Sequence, residues 1–233
     1  MFSITYNGKN SNDIGVYVIK RPNIPSPELR YEETTIAGRD GTLITTDETY
    51  NNIEIPIPLN YMTKKTEWAS MHRLVKAWLL SRNGDRFLEF SDDGSFFYKV
   101  KNVTIGINER TSMRIGVITP VFLCDPFQYL KTGLNKYDIS EVLINPYFKS
   151  KPVYYITGNG TCTLNINGNT IVAEVEDNLV IDCELLMAYK EDGVLKNTAI
   201  TGDYEQMNLL EGKNEISISE GFHCKIRPNW RCL

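Results

Sequence analysis

The most regular pattern in the chain is a stripe of apolar residues between residues 66 and 81. Apolar side chains recur there at a spacing that places them on one face of an α-helix. The stripe comprises Trp68, Met71, Leu74, Val75, Trp78 and Leu79. Thr66 is suited to the N-cap, and Asn83-Gly84 supplies a residue that can adopt the left-handed conformation after a helix. The pattern therefore predicts a helix that ends near Ser81 and buries this stripe.

Strand patterns lie on both sides of the predicted helix. Two short strands are predicted around Asn7-Gly8 and Asn12-Asp13, and FLEF at residues 87–90 begins a strand directly after the helix. An Asp-Asp-Gly turn at residues 92–94 then leads into a hairpin centred on residues 109–112. The first half is therefore predicted to be an α+β domain, a β-sheet or split barrel with one helix.

Residues 32–60 form a polar extension ahead of the helix. The turn GRDG at residues 38–41 joins two strand-like arms, and apolar residues alternate with polar residues and prolines from residue 53 to residue 59. Pro56 and Pro58 lack the N–H that a ladder needs, which predicts an edge strand or a bulge. Such an extension is suited to packing on a neighbouring subunit, although a solvent-exposed hairpin is equally compatible with the pattern.

The second half has the pattern of an all-β domain. The helical signal disappears across residues 134–152, and short strands then alternate with turn signals. Asn167-Gly168 is the strongest hairpin signal, because both central positions of a type I′ turn require positive φ. The segment GNGT at residues 158–161 lacks the lysine of a phosphate-binding loop, and we interpret it as a turn. We therefore predict a first domain over residues 1–135 and a β-sandwich over residues 136–233.

Length, composition and charge exclude several classes of protein. The chain has 233 residues, and 42% of them are hydrophobic. This share is sufficient to form the hydrophobic cores of folded domains. No apolar run approaches the roughly 18 residues of a membrane-spanning helix, and the N-terminus has no leader pattern, so we expect folding in a cytoplasm. The formal net charge is -4, and acidic and basic residues are interspersed along the chain. This pattern does not indicate a basic surface that would bind nucleic acid or an anionic membrane.

Histidines and cysteines offer little for metal binding. The five cysteines are widely spaced and include no Cys-x-x-Cys motif, which favours buried free thiols in a reducing compartment. We interpret His72 as a solvated helix residue. His223, Cys224 and Cys232 could supply two or three metal ligands, but their spacing fits no zinc pattern.

The carboxylates are similarly uninformative. Glu89, Asp92 and Asp93 could form a glycosidase pair or a calcium site, but an Asp-Asp-Gly turn has a purely conformational explanation. We therefore name no catalytic, cofactor-binding or metal-binding residue, and we expect no cofactor.

Several motifs follow one another in a recognisable order. The first half contains GRDGTL at residues 38–43, the alternating arm that ends near Leu59, the helix with Trp68 and Trp78, LEFSDD at residues 88–93, and CDPF at residues 124–127. The second half adds NPYFKSKPVYYITGNG at residues 145–160, LVIDCE at residues 179–184 and LLEGKNEISIS at residues 209–219. This ordered set, which spans nearly the whole chain, resembles the distal tail protein (Dit) family of siphophages, whose members cap the tail tube and form the hub of the baseplate.

The resemblance implies a structural phage protein and no enzyme. It implies that residues 1–135 build a hexameric ring that continues the tail tube, while residues 136–233 form a galectin-like sandwich outside it. Pairing of two rings back to back is left open. The implied partners are the major tail tube protein, a tail-associated tip protein and receptor-binding proteins.

The resemblance also implies a location and a channel. The protein would be in the virion tail of a phage or prophage, after assembly in the cytoplasm of the bacterial host. DNA would pass through the ring without specific binding, and the acidic balance of the chain agrees with such a conduit.

Two other functions are weighed against this one. A carbohydrate- or receptor-binding module of a phage tail would use the predicted sandwich, with Tyr154, Tyr155 and Trp230 as candidate aromatic residues. The two tyrosines are more simply strand residues on opposite faces, and the chain is too short for the carbohydrate-binding inserts that some Dit proteins carry. A wall-degrading hydrolase would depend on Glu89 and Asp92.

Overall fold

Two separate hydrophobic cores organise the chain. The computed structural model describes residues 1–64, 66–110, 112–140 and 142–233. Contacts divide it into a first unit, Met1–Gln128 together with Leu233, and a second unit, Tyr129–Cys232. The predicted boundary after residue 135 falls shortly after this division. Within the described residues, no helix is both long enough and apolar enough to cross a bilayer.

The first unit combines an antiparallel sheet with an α-helix. Its elements are β1 (Ile4–Tyr6), β2 (Lys9–Asn10), β3 (Val16–Val18), β4 (Glu32–Thr35), β5 (Thr42–Thr45), β6 (Ile53–Pro56), β7 (Leu59–Met62), α1 (Trp68–Leu80), β8 (Phe87–Phe90), β9 (Phe96–Glu109) and β10 (Ile115–Leu130), with a 3-10 turn at Asn12–Ile14. The strands run in the order β2-β1-β8-β9-β10-β7-β3, and β6 also pairs with β10. The α+β character predicted for the first half is therefore confirmed.

Helix α1 buries only part of the predicted stripe. Val75, Trp78 and Leu79 are buried in the core of the first unit, and the helix packs on β9. Met71 is half-buried at the edge of the core, whereas Leu74 is 46% exposed. The outer edge of the stripe therefore has no cover within this unit, and the expectation of a fully buried stripe is wrong at Leu74.

The ends of α1 agree with the prediction only at the C-terminus. Glu67 rather than Thr66 is the N-cap residue, and its side chain makes no capping hydrogen bond. The backbone N–H of Glu67 donates to the carbonyl oxygen of Lys64 at 3.0 Å, so Thr66 is taken up in a preceding turn. Ser81 is the C-cap, as the sequence predicts.

Two prolines interrupt the alternating segment, and its first part, β6 with Pro56, lies at an edge as predicted because, among the described strands, β6 pairs with β10 alone. β6 ends at Pro56 and β7 begins after Pro58, and both strands pair with β10. Between them, the N–H of Ile57 still donates to the carbonyl oxygen of Pro120 at 3.0 Å. β7 is internal because β3 pairs with its other side. The apolar positions are buried as predicted, at Ile53, Ile55, Ile57 and Leu59.

The second unit is built on a long antiparallel hairpin. Its elements are β11 (Tyr137–Asp138), β12 (Val142–Asn145), β13 (Val153–Ile166), β14 (Asn169–Asp182), β15 (Met187–Tyr189), β16 (Ile200–Thr201), β17 (Gly212–Ile218), β18 (His223–Arg227) and β19 (Arg231–Cys232), with 3-10 turns at Lys131–Leu134, Asn197–Ala199 and Tyr204–Met207. The sheet order is β11-β18-β13-β14-β15, while β17 pairs with β13 and with β12. The prediction of a β-rich second half is confirmed, and its galectin-like form stays a prediction.

The segment at residues 158–161 is strand, so its interpretation as a turn is wrong. β13 and β14 pair without a break from Val153 opposite Asp182 to Ile166 opposite Asn169. Gly158 has φ +147° and lies against Phe222, so a Cβ at this position would collide with the Phe222 ring. Glycine is needed here for a close approach within the sheet, which explains its presence without a turn.

Candidate functional site

An exposed hairpin arm is the most unusual surface of the first unit. β4 and β5 pair with each other and with no other described strand. Every residue from 28 to 49 is exposed, so the arm contributes nothing to either core. The turn GRDG joins its strands as predicted, with Gly38 and Gly41 at φ +80° and +79°. The exposed hairpin, here called the arm, therefore covers residues 28–50, whereas residues 53–60 of the predicted extension belong to the sheet and its core.

Polar contacts fix the base of the arm. Leu29 pairs with Tyr50 in an isolated bridge, and the guanidinium Nε of Arg30 donates to Asn51 Oδ1 at 3.0 Å. The backbone N–H and the hydroxyl of Thr49 both donate to Asp47 Oδ1, at 3.0 and 2.6 Å, and these bonds lower the pKa of that carboxyl. Although exposed, the arm is a defined hairpin with its own backbone ladder.

The arm carries the net charge of the chain. Residues 28–50 include six acidic and two basic residues, while the whole chain has 29 acidic and 25 basic residues. Outside the arm, the two signs are therefore equal in number. Sequence reasoning treated the charge of -4 as a property of the whole chain, and a count by segment would have located it.

Exposed apolar side chains accompany this charge. Tyr31 and Ile44 are 56% and 59% exposed, and Ile36 and Leu43 are each 40% exposed. Large apolar side chains gathered on an element without a core are typical of a surface that binds another protein. Chemically, the arm is thus suited to protein contact with a basic partner.

His72 is not the solvated residue that the sequence suggested. Its ring is half-buried and stacks on Trp68, with centroids 5.1 Å apart and planes 14° from parallel. Burial lowers the pKa of His72, and the positive charges of Lys76 and Arg73 lower it further.

Two of the residues that the sequence analysis weighed as metal ligands, His223 and Cys224, lie on different sides of β18. His223 Nε2 lies 2.9 Å from Asp138 Oδ1 on the surface, whereas the thiol of Cys224 is buried in the core of the second unit. Adjacent residues of β18 point to opposite faces, which separates these two donors. In the part of the chain that the structure describes, no group of three or more His, Cys, Asp or Glu side chains could hold a metal ion.

The carboxylates that a hydrolase would need have structural contacts. Asp92 makes an ion pair with Arg21 at 3.1 Å, and Asp93 Oδ2 accepts a hydrogen bond from Gln128 Nε2 at 2.7 Å. Glu89 lies on β8 opposite Thr5 of β1. The turn at residues 92–94 therefore has the conformational role that its sequence suggests.

The candidate aromatic residues of the second unit offer no open stacking platform. Tyr154 is buried, and its hydroxyl donates to the carbonyl oxygen of Met207 at 2.8 Å. The ammonium of Lys136 lies 3.6 Å from the centre of the Tyr155 ring, which covers that face. Trp230 is half-buried against the core of its own unit. The opposite orientations predicted for the two tyrosines are confirmed.

Four of the five cysteines are buried free thiols, as predicted, whereas Cys232 is only half-buried. They are Cys124 in the first unit and Cys162, Cys183 and Cys224 in the second. Burial raises the pKa of Cys124 and of Cys224 from 9.0 to about 12, so both thiols are protonated at neutral pH. Protonated, buried thiols are poor nucleophiles, which gives these residues a packing role.

Together, these features define a class of fold and a kind of site: a β-rich chain of two units, with an α-helix and an acidic hairpin arm in the first. A solved structure has this fold over nearly the whole chain. It is the crystal structure of the SPP1 Dit (gp 19.1) protein, a paradigm of the hub adsorption apparatus in phages that infect Gram-positive bacteria. The TM-score is 0.70 at 18% sequence identity, over 97% of this chain and 98% of that chain.

The likeness is visible in structure and not in sequence comparison. No protein-family model matches the chain, and no curated protein matches it. At 18% identity, the comparison establishes the fold. The resemblance to the Dit family that the order of motifs indicates is confirmed at that level.

Proposed function

We propose that this protein is a structural component of a phage tail and forms the hub between the tail tube and the baseplate. The observation that supports this proposal most directly is the likeness to the SPP1 Dit protein over 97% of the chain. Fold alone does not define function, because one fold can carry many functions. The second support is therefore the arm, an exposed element whose apolar and acidic surface is suited to protein contact.

The finer proposal is a hexameric ring. Residues 1–135 form the ring that continues the tail tube, and residues 136–233 form a galectin-like sandwich outside it. The arm reaches a neighbouring subunit, and two rings can pair back to back. The partners are the tail tube protein, a tip protein and receptor-binding proteins of the virion, while DNA passes through the channel without specific binding.

Net charge gives no support for the channel. The arm holds the whole surplus of acidic residues, and the rest of the chain is balanced. The net charge of the chain is therefore not an argument for a lumen that repels DNA.

A carbohydrate-binding function has less support. Sugars usually stack on exposed aromatic rings, but Tyr154 is buried, Tyr155 is covered by Lys136, and Trp230 packs on a core. The same unit contains no cluster of described residues that could hold a metal ion for sugar binding.

The mass of the assembly in solution tests the proposal. Light scattering coupled to gel filtration should give six chains or a pair of six-chain rings, and negative-stain images of the same peak should have a central opening. Deletion of residues 31–46, with a short Gly-Ser link, should leave a folded chain by circular dichroism and prevent ring formation. A monomer at every concentration, combined with binding of the full chain to a glycan array, would favour the carbohydrate-binding alternative.

A further inference from the structure

Four Asn-Gly pairs occur along the chain, and this dipeptide is especially prone to spontaneous deamidation. In that reaction the backbone nitrogen of the second residue attacks the side-chain carbonyl carbon of asparagine, and glycine places no side chain in its way. The pairs begin at Asn7, Asn83, Asn159 and Asn167. A pair that is held in another geometry reacts only after its segment opens. The local structure of each pair therefore decides its reactivity.

Three hydrogen bonds hold the pair at Asn167. Its Oδ1 accepts from the N–H of Glu215 at 2.9 Å, and its Nδ2 donates to Asn214 Oδ1 at 2.8 Å. The N–H of Gly168 donates to Asn165 Oδ1 at 3.1 Å. Both reacting groups, the side-chain amide and the glycine nitrogen, are thus occupied, and this pair is protected.

The sheets of their own units hold the pairs at Asn159 and Asn7. Asn159 lies within the unbroken ladder of β13 and β14, and its Oδ1 accepts from the N–H of Asp177 at 3.0 Å. Asn7 lies in the turn between β1 and β2 at φ +53°, its N–H donates to the carbonyl oxygen of Phe87 at 3.3 Å, and its Oδ1 is buried. Reaction at either pair therefore requires that backbone pairing open first.

The pair at Asn83 lacks these restraints. Asn83 and Gly84 are both exposed and lie between α1 and β8, outside every described helix and strand. The backbone N–H of Asn83 donates to Ser81 Oγ at 3.3 Å. Within the described residues, the side-chain amide of Asn83 and the N–H of Gly84 make no hydrogen bond. The two reacting groups can therefore approach each other without the loss of other contacts.

We propose that Asn83 is the site at which this chain deamidates in its folded state, to a mixture of aspartate and isoaspartate. The nitrogen of Gly84 gives up its proton to hydroxide and bonds to Cγ of Asn83. The bond from Cγ to the side-chain nitrogen breaks, and that nitrogen takes a proton from water and leaves as ammonia. Water then opens the five-membered imide at either carbonyl, so that a carboxylate replaces the amide and water is the only co-reactant.

The reaction changes both the charge and the backbone next to the end of α1. The new carboxylate stands beside a cavity of about 400 Å³ that Asn83 lines together with Lys9 and Leu74. In the isoaspartate form, the main chain passes through the former side chain and is one carbon longer. Gly84 lies so close to Asn7 that an added Cβ would come within 2.2 Å of its Oδ1, so the longer segment must disturb this contact. The proposal does not depend on the hub function.

Peptide mapping of the folded protein tests the proposal. The purified full chain, in whatever assembly it forms, is incubated in heavy-oxygen water at mildly alkaline pH, and its peptides are analysed by mass spectrometry. Incorporated heavy oxygen marks each asparagine whose imide has been opened by water. We expect conversion of Asn83 to be at least about tenfold faster than that of Asn7, Asn159 or Asn167, because those three react only after local opening.

Two controls separate structure from sequence. In denaturant, the four pairs should react at rates within about threefold of one another, because their folded contacts are then absent. Asn83→Gln keeps a side-chain amide but would have to close a larger ring. This variant should fold as the wild type does by circular dichroism and should lack the acidic form that accumulates in ion-exchange chromatography of the wild type.

Three results would overturn the proposal. They are faster conversion at another pair in the folded chain, equal rates at all four pairs, and no conversion of Asn83 over a period in which the unfolded chain reacts.

Discussion

The indole Nε1 of Trp78 donates a 2.9 Å hydrogen bond to the backbone carbonyl oxygen of Tyr6. This bond joins the last turn of α1 to β1, and the two rings also meet edge to face with centroids 6.3 Å apart. Trp78 is 5% exposed, so its side chain fills the core as well as donating to the sheet. The position of the helix on the sheet therefore depends strongly on this one residue.

Replacement of Trp78 should destabilise the first unit. Trp78→Ala is expected to lower its free energy of unfolding by about 3–5 kcal/mol, because a large cavity forms in the core. Trp78→Phe keeps much of the volume and should lose about 1–3 kcal/mol through the missing hydrogen bond. Scanning calorimetry measures both. Leu80→Ala is the control on the same helix, since Leu80 is 49% exposed, and a change of similar size there would contradict the packing of α1.

The buried hydroxyl of Tyr154 should stabilise the second unit. Tyr154→Phe removes the donor to the Met207 carbonyl oxygen while keeping the ring, and we expect a loss of about 1–3 kcal/mol. Tyr155→Phe is the matched control on the next residue of the same strand, with an expected change within about 0.5 kcal/mol. Urea unfolding monitored by far-UV circular dichroism compares the two. Equal effects would mean that the Tyr154 hydroxyl is not the critical group.

Glycine at position 158 should be required by packing as well as by backbone conformation. Gly158 and Gly160 both have positive φ, at +147° and +110°, so alanine is strained at each position. Only at Gly158 would the added Cβ collide with Phe222, since nothing lies within 4 Å of a Cβ at Gly160. Gly158→Ala should therefore lower the melting temperature more than Gly160→Ala. The collision should reduce the free energy of unfolding of the Gly158→Ala variant by a further amount of about 1–3 kcal/mol. The reverse order would contradict this reading of the strand.

The buried thiols predict a loss of stability at alkaline pH. The folded state raises the pKa of Cys124 from 9.0 to about 12, so above pH 9 the unfolded state releases a proton that the folded state retains. The contribution of the protonated Cys124 thiol to the free energy of unfolding is fully present below pH 9. It is lost as pH rises towards about 12, by about 1.4 kcal/mol per pH unit. Denaturant melts between pH 8 and pH 10 measure the slope.

A substitution isolates the contribution of this thiol. Cys124→Ala should be less stable than the wild type near neutral pH but should have a shallower decline above pH 9 in the transition of the first unit. Identical slopes for the two proteins would show that the Cys124 thiol does not remain protonated in the folded state.

Sequence patterns predicted the elements whose signals are local. Asn167-Gly168 requires two positive φ angles, and the structure has +53° and +86° at these positions. Val75, Trp78 and Leu79 are buried because they share one side of a single helix. In both cases, the information lies within a few consecutive residues.

Features that depend on distant residues were not predictable. Gly158 is next to Phe222 only because β13 and β18 pair. Without that pairing, the sequence GNGT at residues 158–161 was equally consistent with a turn. The exposure of Leu74 likewise depends on which segments of the chain pack against α1. The arm itself was predicted from GRDG and its flanking strands, but its end at residue 50 was not, because the burial of residues 53–59 depends on pairing with the distant strand β10.

The complete exposure of the arm frees its sequence from the packing constraints that act on residues of the two cores. Residues 28–49 fill no cavity in either core, so a substitution there changes folding stability little, and evolution can alter the arm without losing the fold. A protein that binds the arm can therefore constrain its sequence without any effect on the packing of either core.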